Sequence, residues 1–288
     1  MQIFQLPSPL QKLNSSFLKS KEIDLWLKRD DLIHPEISGN KWRKLALNVQ
    51  AAQHAGIKTL LTFGGAYSNH IAATAAAGKL FSMATIGIIR GDEGFENDTL
   101  RKAKENGMHL HFVSREQYKQ KTEHSFLSEL VLRFGQFYLI PEGGANEHGV
   151  EGCQEILAEV GHGFNYLSIS AGTATTASGI CRCLASEKLL VFPALKGGGF
   201  MFDEIAKYCT QEQLQKVQLQ PNYHFGGYGK TKPEQIEFMK SFFKEYGVEL
   251  DKVYTSKMMF GLFDLIRNDY FPKGARILAI HTGGLQGN

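Results

Sequence analysis

Short apolar runs recur along the chain, bounded by glycine and polar residues. Between them, apolar positions return at three- and four-residue intervals. The runs KTLLTF (58–63), ATIGII (84–89), HLHFV (109–113), FYLI (137–140), YLSIS (166–170), LLVFPAL (189–195) and RILAIH (276–281) predict strands. Helical spacing predicts helices near 68–80, 97–106, 115–134, 147–160, 174–186, 201–209, 233–246 and 257–268, and one over KWRKLALNVQAAQHAG from Lys41 onward. The strands are continuous apolar runs rather than alternating ones, as expected where both faces of a sheet are covered. Strand–helix alternation of this kind predicts an α/β fold: open, twisted, mostly parallel sheets flanked by helices. No repeat, low-complexity stretch or linker divides the chain.

Glycine-rich loops follow five of the predicted strands: GGAYSNH (64–70), PEGGANEHG (141–149), AGTATTASG (171–179), KGGG (196–199) and HTGGLQG (281–287). Ligands of open α/β sheets bind outside the carboxyl ends of strands. Tight turns would account for two or three such loops. Five predict one shared ligand cleft.

Composition narrows the classes. The chain has 288 residues, 43% hydrophobic and 21% charged, with a net charge of +3. That charge is too small to argue for nucleic acid or an anionic membrane. The N-terminal MQIFQLPSPLQKL has no basic region followed by an apolar run, so a cytoplasmic location is expected. The four cysteines, Cys153, Cys181, Cys183 and Cys209, form neither C-x-x-C nor a zinc spacing. They are expected to be reduced thiols, with no metal bound.

SGNKWRKL (38–45) raises the chemical question. Ser38, Gly39 and Asn40 are turn and N-cap types, which puts Lys41 in the first turn of a helix, where the dipole disfavours a cation. Either its charge points to water, or it is a lysine meant to lose its proton and act as a nucleophile. SAGTATTASG (170–179) leaves a strand through small residues and hydroxyls and opens a helix, a cradle for a monophosphate. It lacks the lysine of a nucleotide P-loop and the spacing of a dinucleotide turn. In GGAYSNH, Ser68 and Asn69 either cap a helix or face the cleft. A nucleophilic lysine, a phosphate cradle and an asparagine at a helix start together suggest pyridoxal 5′-phosphate, PLP.

The ordered set LPSPLQKL, LWLKRDDL, SGNKWRKL, GGAYSNH, IPEGGAN, SAGTATTASG, FGGYG, VYTSK and HTGGLQG resembles the ACC deaminase/D-cysteine desulfhydrase family nearly end to end (ACC is 1-aminocyclopropane-1-carboxylate). These are PLP enzymes of fold type II, the tryptophan synthase β-like fold. The resemblance implies that Lys41 carries the cofactor and that Asn69 bonds its ring oxygen. Gly172, Thr173, Ala174, Thr175 and Thr176 would hold its phosphate, and Thr255 would face its ring nitrogen. Ser68 would lie by the substrate carboxylate or α-proton. Tyr228 and Tyr254 would flank the substrate, and Thr282 would help select it. It also implies a homodimer, and an inserted small α/β domain, 45–142, within a large PLP-binding domain of 1–44 and 143–288. Tyr67 and Ser256 depart from the family pattern, which has Gln and Gly there.

Thr255 and Thr282 stand where ACC deaminases have Glu and Leu. A threonine hydroxyl opposite the ring nitrogen favours a neutral, weaker electron sink. That suffices to expel thiolate but suits opening a cyclopropane less well. The expected reaction is therefore β-elimination from D-cysteine to pyruvate, sulfide and ammonia. ACC deamination to 2-oxobutyrate is the first alternative and a PLP-binding protein without turnover the second. An NAD enzyme comes last. His70 and His281 are expected to position loops, and the phenylalanines at 242–243 and 260–263 to fill the core.

Overall fold

The computed structural model describes residues 3–161 and 163–285; the end of HTGGLQG lies outside them. Among the described residues, ten strands form two sheets. β1 (Leu10–Leu13), β2 (Asp24–Lys28), β7 (Tyr166–Ala171), β8 (Lys188–Pro193), β9 (Val217–Leu219) and β10 (Arg276–Ile280) make a six-stranded sheet in the order β1-β2-β10-β7-β8-β9. β3 (Thr59–Gly65), β4 (Ala84–Arg90), β5 (Met108–Val113) and β6 (Tyr138–Ile140) make a four-stranded sheet in the order β5-β4-β3-β6. Every pairing is parallel except β1 with β2.

All seven predicted strands are present. Three others were not anticipated. β2 reads DLWLK, with Leu25 and Leu27 buried on one face and Asp24 and Trp26 on the other; its alternation is the signal that could have found it. β1 and β9 have four and three residues and lack a pattern.

The helices are α1 (Ser16–Ser20), α2 (Asn40–His54), α3 (Asn69–Leu80), α4 (Asp98–Glu105), α5 (Arg115–Lys119), α6 (His124–Phe134), α7 (Glu147–Ala158), α8 (Thr175–Arg182), α9 (Met201–Ala206), α10 (Gln211–Leu214), α11 (Pro233–Tyr246) and α12 (Thr255–Arg267). The single helix expected over 115–134 is two. Ser114 and Gln117 close a capping box at the start of α5, which ends by Gln120 before α6 begins anew. Phe242 and Phe263 are core residues, but Phe243 is 57% exposed on α11, contrary to expectation.

α2 is fixed in place by buried charge. Arg43 reaches Asp30 at 3.1 Å and Glu159 at 2.5 and 2.8 Å; Glu159 also takes Lys28 Nζ at 2.5 Å. Pairing of this kind offsets the cost of taking these charges out of water. α7 lies hard against α2 because position 152 is glycine: a Cβ there would stand 1.9 Å from the Arg43 carbonyl oxygen. Strand β2, α2 and α7 thus hold the helix start that carries Lys41.

Candidate active site

The carboxyl ends of both sheets face a cleft of about 720 Å³, within the size range of small-molecule sites. Four of the five glycine-rich loops line it; Gly65, Ser68, Glu142, Gly143, Gly172 and Thr282 are among the contributors. The fifth does not: KGGG sends only its neighbour Leu195 to the cleft, while Gly198 packs against Pro193. The ends of β4 and β5 also contribute, through Arg90, Asp92, Arg115 and Glu116.

Lys41 occupies the first turn of α2. The turn before it is interlocked with the last loop of the chain. Gly39 has φ +64, and a Cβ there would lie 1.9 Å from the Thr282 carbonyl oxygen; that same carbonyl accepts the Asn40 N–H at 3.3 Å. SGNK and HTGG therefore form one structural unit. The Lys41 Nζ donates to Asn40 Oδ1 at 2.6 Å, and Asn40 Nδ2 donates to Thr176 Oγ1 at 3.0 Å. Burial, and after it the charge of Lys44, lowers the Lys41 pKa to about 7. Near neutrality much of this amine is uncharged and nucleophilic.

Lys44, one turn further along α2, is buried and donates to Thr173 Oγ1 at 3.1 Å. Burial lowers its pKa too. Sequence reasoning quoted this residue without assigning it. The signal was the i, i+3 spacing from Lys41, which places both on one helix face. His70 is 2% exposed. Its neighbour Thr62 donates its hydroxyl proton to the Ile140 carbonyl at 2.8 Å, so it must accept from His70 Nε2 at 2.9 Å. That fixes the tautomer and leaves His70 Nδ1 a buried, unpaired acceptor at the cleft wall. Burial, then Lys41 and Lys44, keep the ring neutral.

The other anticipated residues divide. Ser68 caps α3, accepting from the Ile71 N–H at 3.4 Å, and lines the cleft with Asn69, Gly172, Thr173, Tyr228, Tyr254 and Thr282. Both the capping and the cleft-facing readings of Ser68 therefore hold. Ala174, Thr175 and Thr176 stand behind the lining, with the Thr175 hydroxyl 3.3 Å from that of Thr173. Tyr228 and Tyr254 meet edge to face, with ring centroids 6.0 Å apart. Burial, followed by the Tyr228 phenol, pushes the Tyr254 pKa well up, so its phenol keeps its proton. His281 does position a loop, accepting the Gly283 N–H at Nδ1 at 3.2 Å and contacting the Glu249 carbonyl at 2.7 Å through Nε2.

Thr255 also stands behind the lining and is fully buried. Its hydroxyl donates to Asp251 Oδ1 at 2.5 Å and accepts the Asp251 N–H at 3.1 Å. The hydroxyl proton is already taken, so Thr255 can offer only an acceptor. A neutral ring nitrogen held by the Thr255 hydroxyl would need that same proton.

The residues fit a phosphorylated aromatic cofactor. α8 begins without a side-chain cap, so its first N–H groups have no side-chain acceptor. A buried lysine bonds the loop before it, and a buried imidazole acceptor lacks a partner nearby. An anion site beside a reactive amine fits a PLP-dependent enzyme. The family described as "Pyridoxal-phosphate dependent enzyme" matches residues 2–196. The chain is 30% identical to the bifunctional D-cysteine desulfhydrase/1-aminocyclopropane-1-carboxylate deaminase of Arabidopsis thaliana, over 98% of this chain and 77% of that protein. The crystal structure of an ACC deaminase homologue superposes with a TM-score of 0.83 at 28% identity, covering 100% of this chain and 92% of that one. A hydrogen sulfide-producing enzyme from Fusobacterium nucleatum shares the fold alone, with a TM-score of 0.71 at 14% identity, over 99% of this chain and 97% of that one. The chain belongs to the PLP-dependent enzymes of fold type II, in the ACC deaminase/D-cysteine desulfhydrase family. No helix among the described residues is long and apolar enough to cross a membrane.

A pH prediction follows from Lys41. Its pKa lies below the ordinary lysine value, so the amine is protonated and inert below about pH 7 and neutral above it. The rate at which the apoprotein takes up PLP, followed by visible absorbance, should rise about tenfold per pH unit below 7 and level off above it. A rate still climbing steeply at pH 9 would mean an ordinary surface lysine.

Proposed function

We propose that this chain catalyses PLP-dependent elimination or deamination of a small amino acid, with D-cysteine as the substrate and pyruvate, sulfide and ammonia as the products. The observation that carries the reading is the uncharged-capable Lys41 amine lining the same cleft as the Lys44–Thr173 anion cradle. Bound PLP supplies the electron sink that makes a substrate α-proton acidic. Lys44, Gly172 and Thr173, with the N–H groups opening α8, would hold the phosphate, and Asn69 the ring oxygen. The residues of the chain supply proton transfer. The Lys41 amine, or the Ser68 hydroxyl that lines the same cleft, accepts the α-proton. The Tyr254 phenol, protonated at neutral pH, donates to the leaving thiolate, and Tyr228 stands against it. With one water, the products balance D-cysteine. Thr282, within 3.4 Å of the Ser170 hydroxyl, borders the substrate space and suits a small polar side chain better than a larger apolar residue would.

A specific observation favours the second reading, ACC deamination to 2-oxobutyrate and ammonia. The Thr255 proton held by Asp251 leaves an oxygen that accepts rather than donates. An acceptor opposite the ring nitrogen favours the protonated ring and the stronger sink that opening a cyclopropane needs. Purified, PLP-loaded protein given D-cysteine, L-cysteine and ACC in parallel decides between them. Sulfide and pyruvate from D-cysteine alone support the first reading. 2-Oxobutyrate from ACC replaces it with the second. No product from any of the three sinks both. The reading also takes in a homodimer and the division into 1–44 with 143–288 and 45–142. In support of that division, the four strands of the smaller sheet all fall within 59–140.

A further inference from the structure

Lys257 is a second buried lysine with an unusual set of partners. It lies in the first turn of α12, where the helix dipole disfavours a cation, and it is 1% exposed. Its Nζ meets three backbone carbonyl oxygens: His224 at 2.9 Å, Gly227 at 2.8 Å and Ala194 at 3.4 Å. Buried Lys28, by contrast, is neutralised by Glu159. The carboxylate whose field Lys257 feels, Asp251, is occupied by backbone N–H groups and by Thr255. Three carbonyls can take the three N–H bonds of an ammonium one for one, whereas a neutral amine has two to give. The His224 and Gly227 carbonyls also accept the Gly227 and Lys230 N–H groups at 3.0 and 3.1 Å. Burial lowers the Lys257 pKa only to about 8, so the ammonium prevails at neutral pH.

The three carbonyls belong to two segments that reach the cleft. Ala194 precedes the lining residue Leu195, and His224 and Gly227 belong to the loop that ends in Tyr228. That loop is glycine-rich, and its own bonds, the Gly227 N–H to the His224 carbonyl and the Lys230 N–H to the Gly227 carbonyl, are those of tight turns. Gly226, Gly227 and Gly229 have φ of +100, +121 and +67, and Phe225 is also at positive φ. Such a segment loses much entropy when it is ordered. The residue it presents, Tyr228, stands against Tyr254, three positions before Lys257 at the same end of α12.

We propose that Lys257 is a positioning residue, a tethered cation that pins the 224–228 loop to the start of α12 and so holds Tyr228 against Tyr254 at the cleft. This rests on the reading of the two tyrosines as active-site residues. If it holds, removing the side chain leaves a carbonyl-lined space that a small ammonium ion can fill.

The test uses PLP-loaded Lys257→Ala and Lys257→Met. Hydrogen exchange of peptides spanning 222–230 should quicken at least tenfold in both, with the strands of the six-stranded sheet unchanged. With a substrate in hand, kcat should fall about 100-fold with little change in KM, the size of one lost proton-transfer group. In Lys257→Ala, methylammonium or ethylammonium should restore both loop protection and kcat, while tetramethylammonium, which has no N–H, should not. The kcat losses of Lys257→Met and Tyr228→Phe should fail to add in the double variant. Unchanged exchange over 222–230 overturns the proposal. So do additive kcat losses, or a general loss of protection that no amine repairs. The exchange measurement needs no turnover, so its result separates failure of this proposal from failure of the proposed reaction.

Discussion

Replacing Lys41 with alanine abolishes covalent cofactor binding and lowers kcat by at least about 10³-fold, the scale on which removal of a nucleophile or base acts. The change falls on one amine. Burial and the neighbouring Lys44 bring its pKa to about 7, and Asn40 Oδ1 holds it at 2.6 Å. The fold should survive. Truncating the Lys41 stem removes one hydrogen bond, while the charge network that fixes α2 runs through Arg43, Asp30 and Glu159 and is untouched. Lys44, still bonded to Thr173, keeps the anion cradle, so PLP should bind reversibly, without the visible band of the covalently attached cofactor. Lys41→Arg should fare no better, because a guanidinium keeps its charge at every accessible pH. Absorbance spectra and equilibrium dialysis of the variant report both properties. An alanine protein that kept the absorbance band would remove Lys41 from the site.

What could be read from the sequence, and what could not, divides along physical lines. The parallel strands announced themselves because both faces are covered and the runs are uniformly apolar, as in LLVFPAL around β8. Glycine marked most of the cleft, because backbone must turn tightly or approach closely there; Gly39 against Thr282 is the sharpest case. The same cue misled at KGGG, where the glycines shape a turn that packs on Pro193. It was also overlooked at GDEG (91–94), although Gly91 and Asp92 line the cleft. Lys44 and Lys257 were missed for a shared reason. A lysine in a helical pattern reads as solvated, and what makes either one notable is a partner more than 30 positions away along the chain. Thr255 drew attention through the VYTSK motif, but the helix expected from 257 begins at Thr255 itself, and its chemistry depends on Asp251, two positions upstream of that motif. Motifs identify residues; the state of their protons is set by neighbours outside the motif.

Asp251 is accordingly the position where a single change should cost the most stability near the site. It is 1% exposed. One carboxylate oxygen accepts the Val253 and Tyr254 N–H groups at 2.8 and 2.7 Å; the other accepts the Thr255 N–H at 2.8 Å and its hydroxyl at 2.5 Å. It is the cap of α12, whose N-cap residue Tyr254 offers no side-chain hydrogen bond of its own. Asp251→Ala strands these donors in the interior. Buried donors left unmade cost about 1–3 kcal/mol each before relaxation. A net loss on the order of 3–5 kcal/mol is expected, a large part of the roughly 5–15 kcal/mol that a typical domain possesses. Asp251→Asn should cost less, because its amide oxygen can still accept on one side while its NH₂ opposes donors on the other. The functional consequence runs through the same bonds. Without the carboxylate, the Thr255 proton is free to point elsewhere and the Tyr254 main chain loses its anchor. Urea midpoints and cofactor affinity should therefore fall together, with Asn between wild type and Ala. Stability within 1 kcal/mol of wild type for Asp251→Ala would show that solvent or a shifted backbone serves those donors, and the account of Thr255 as an acceptor would fall with it.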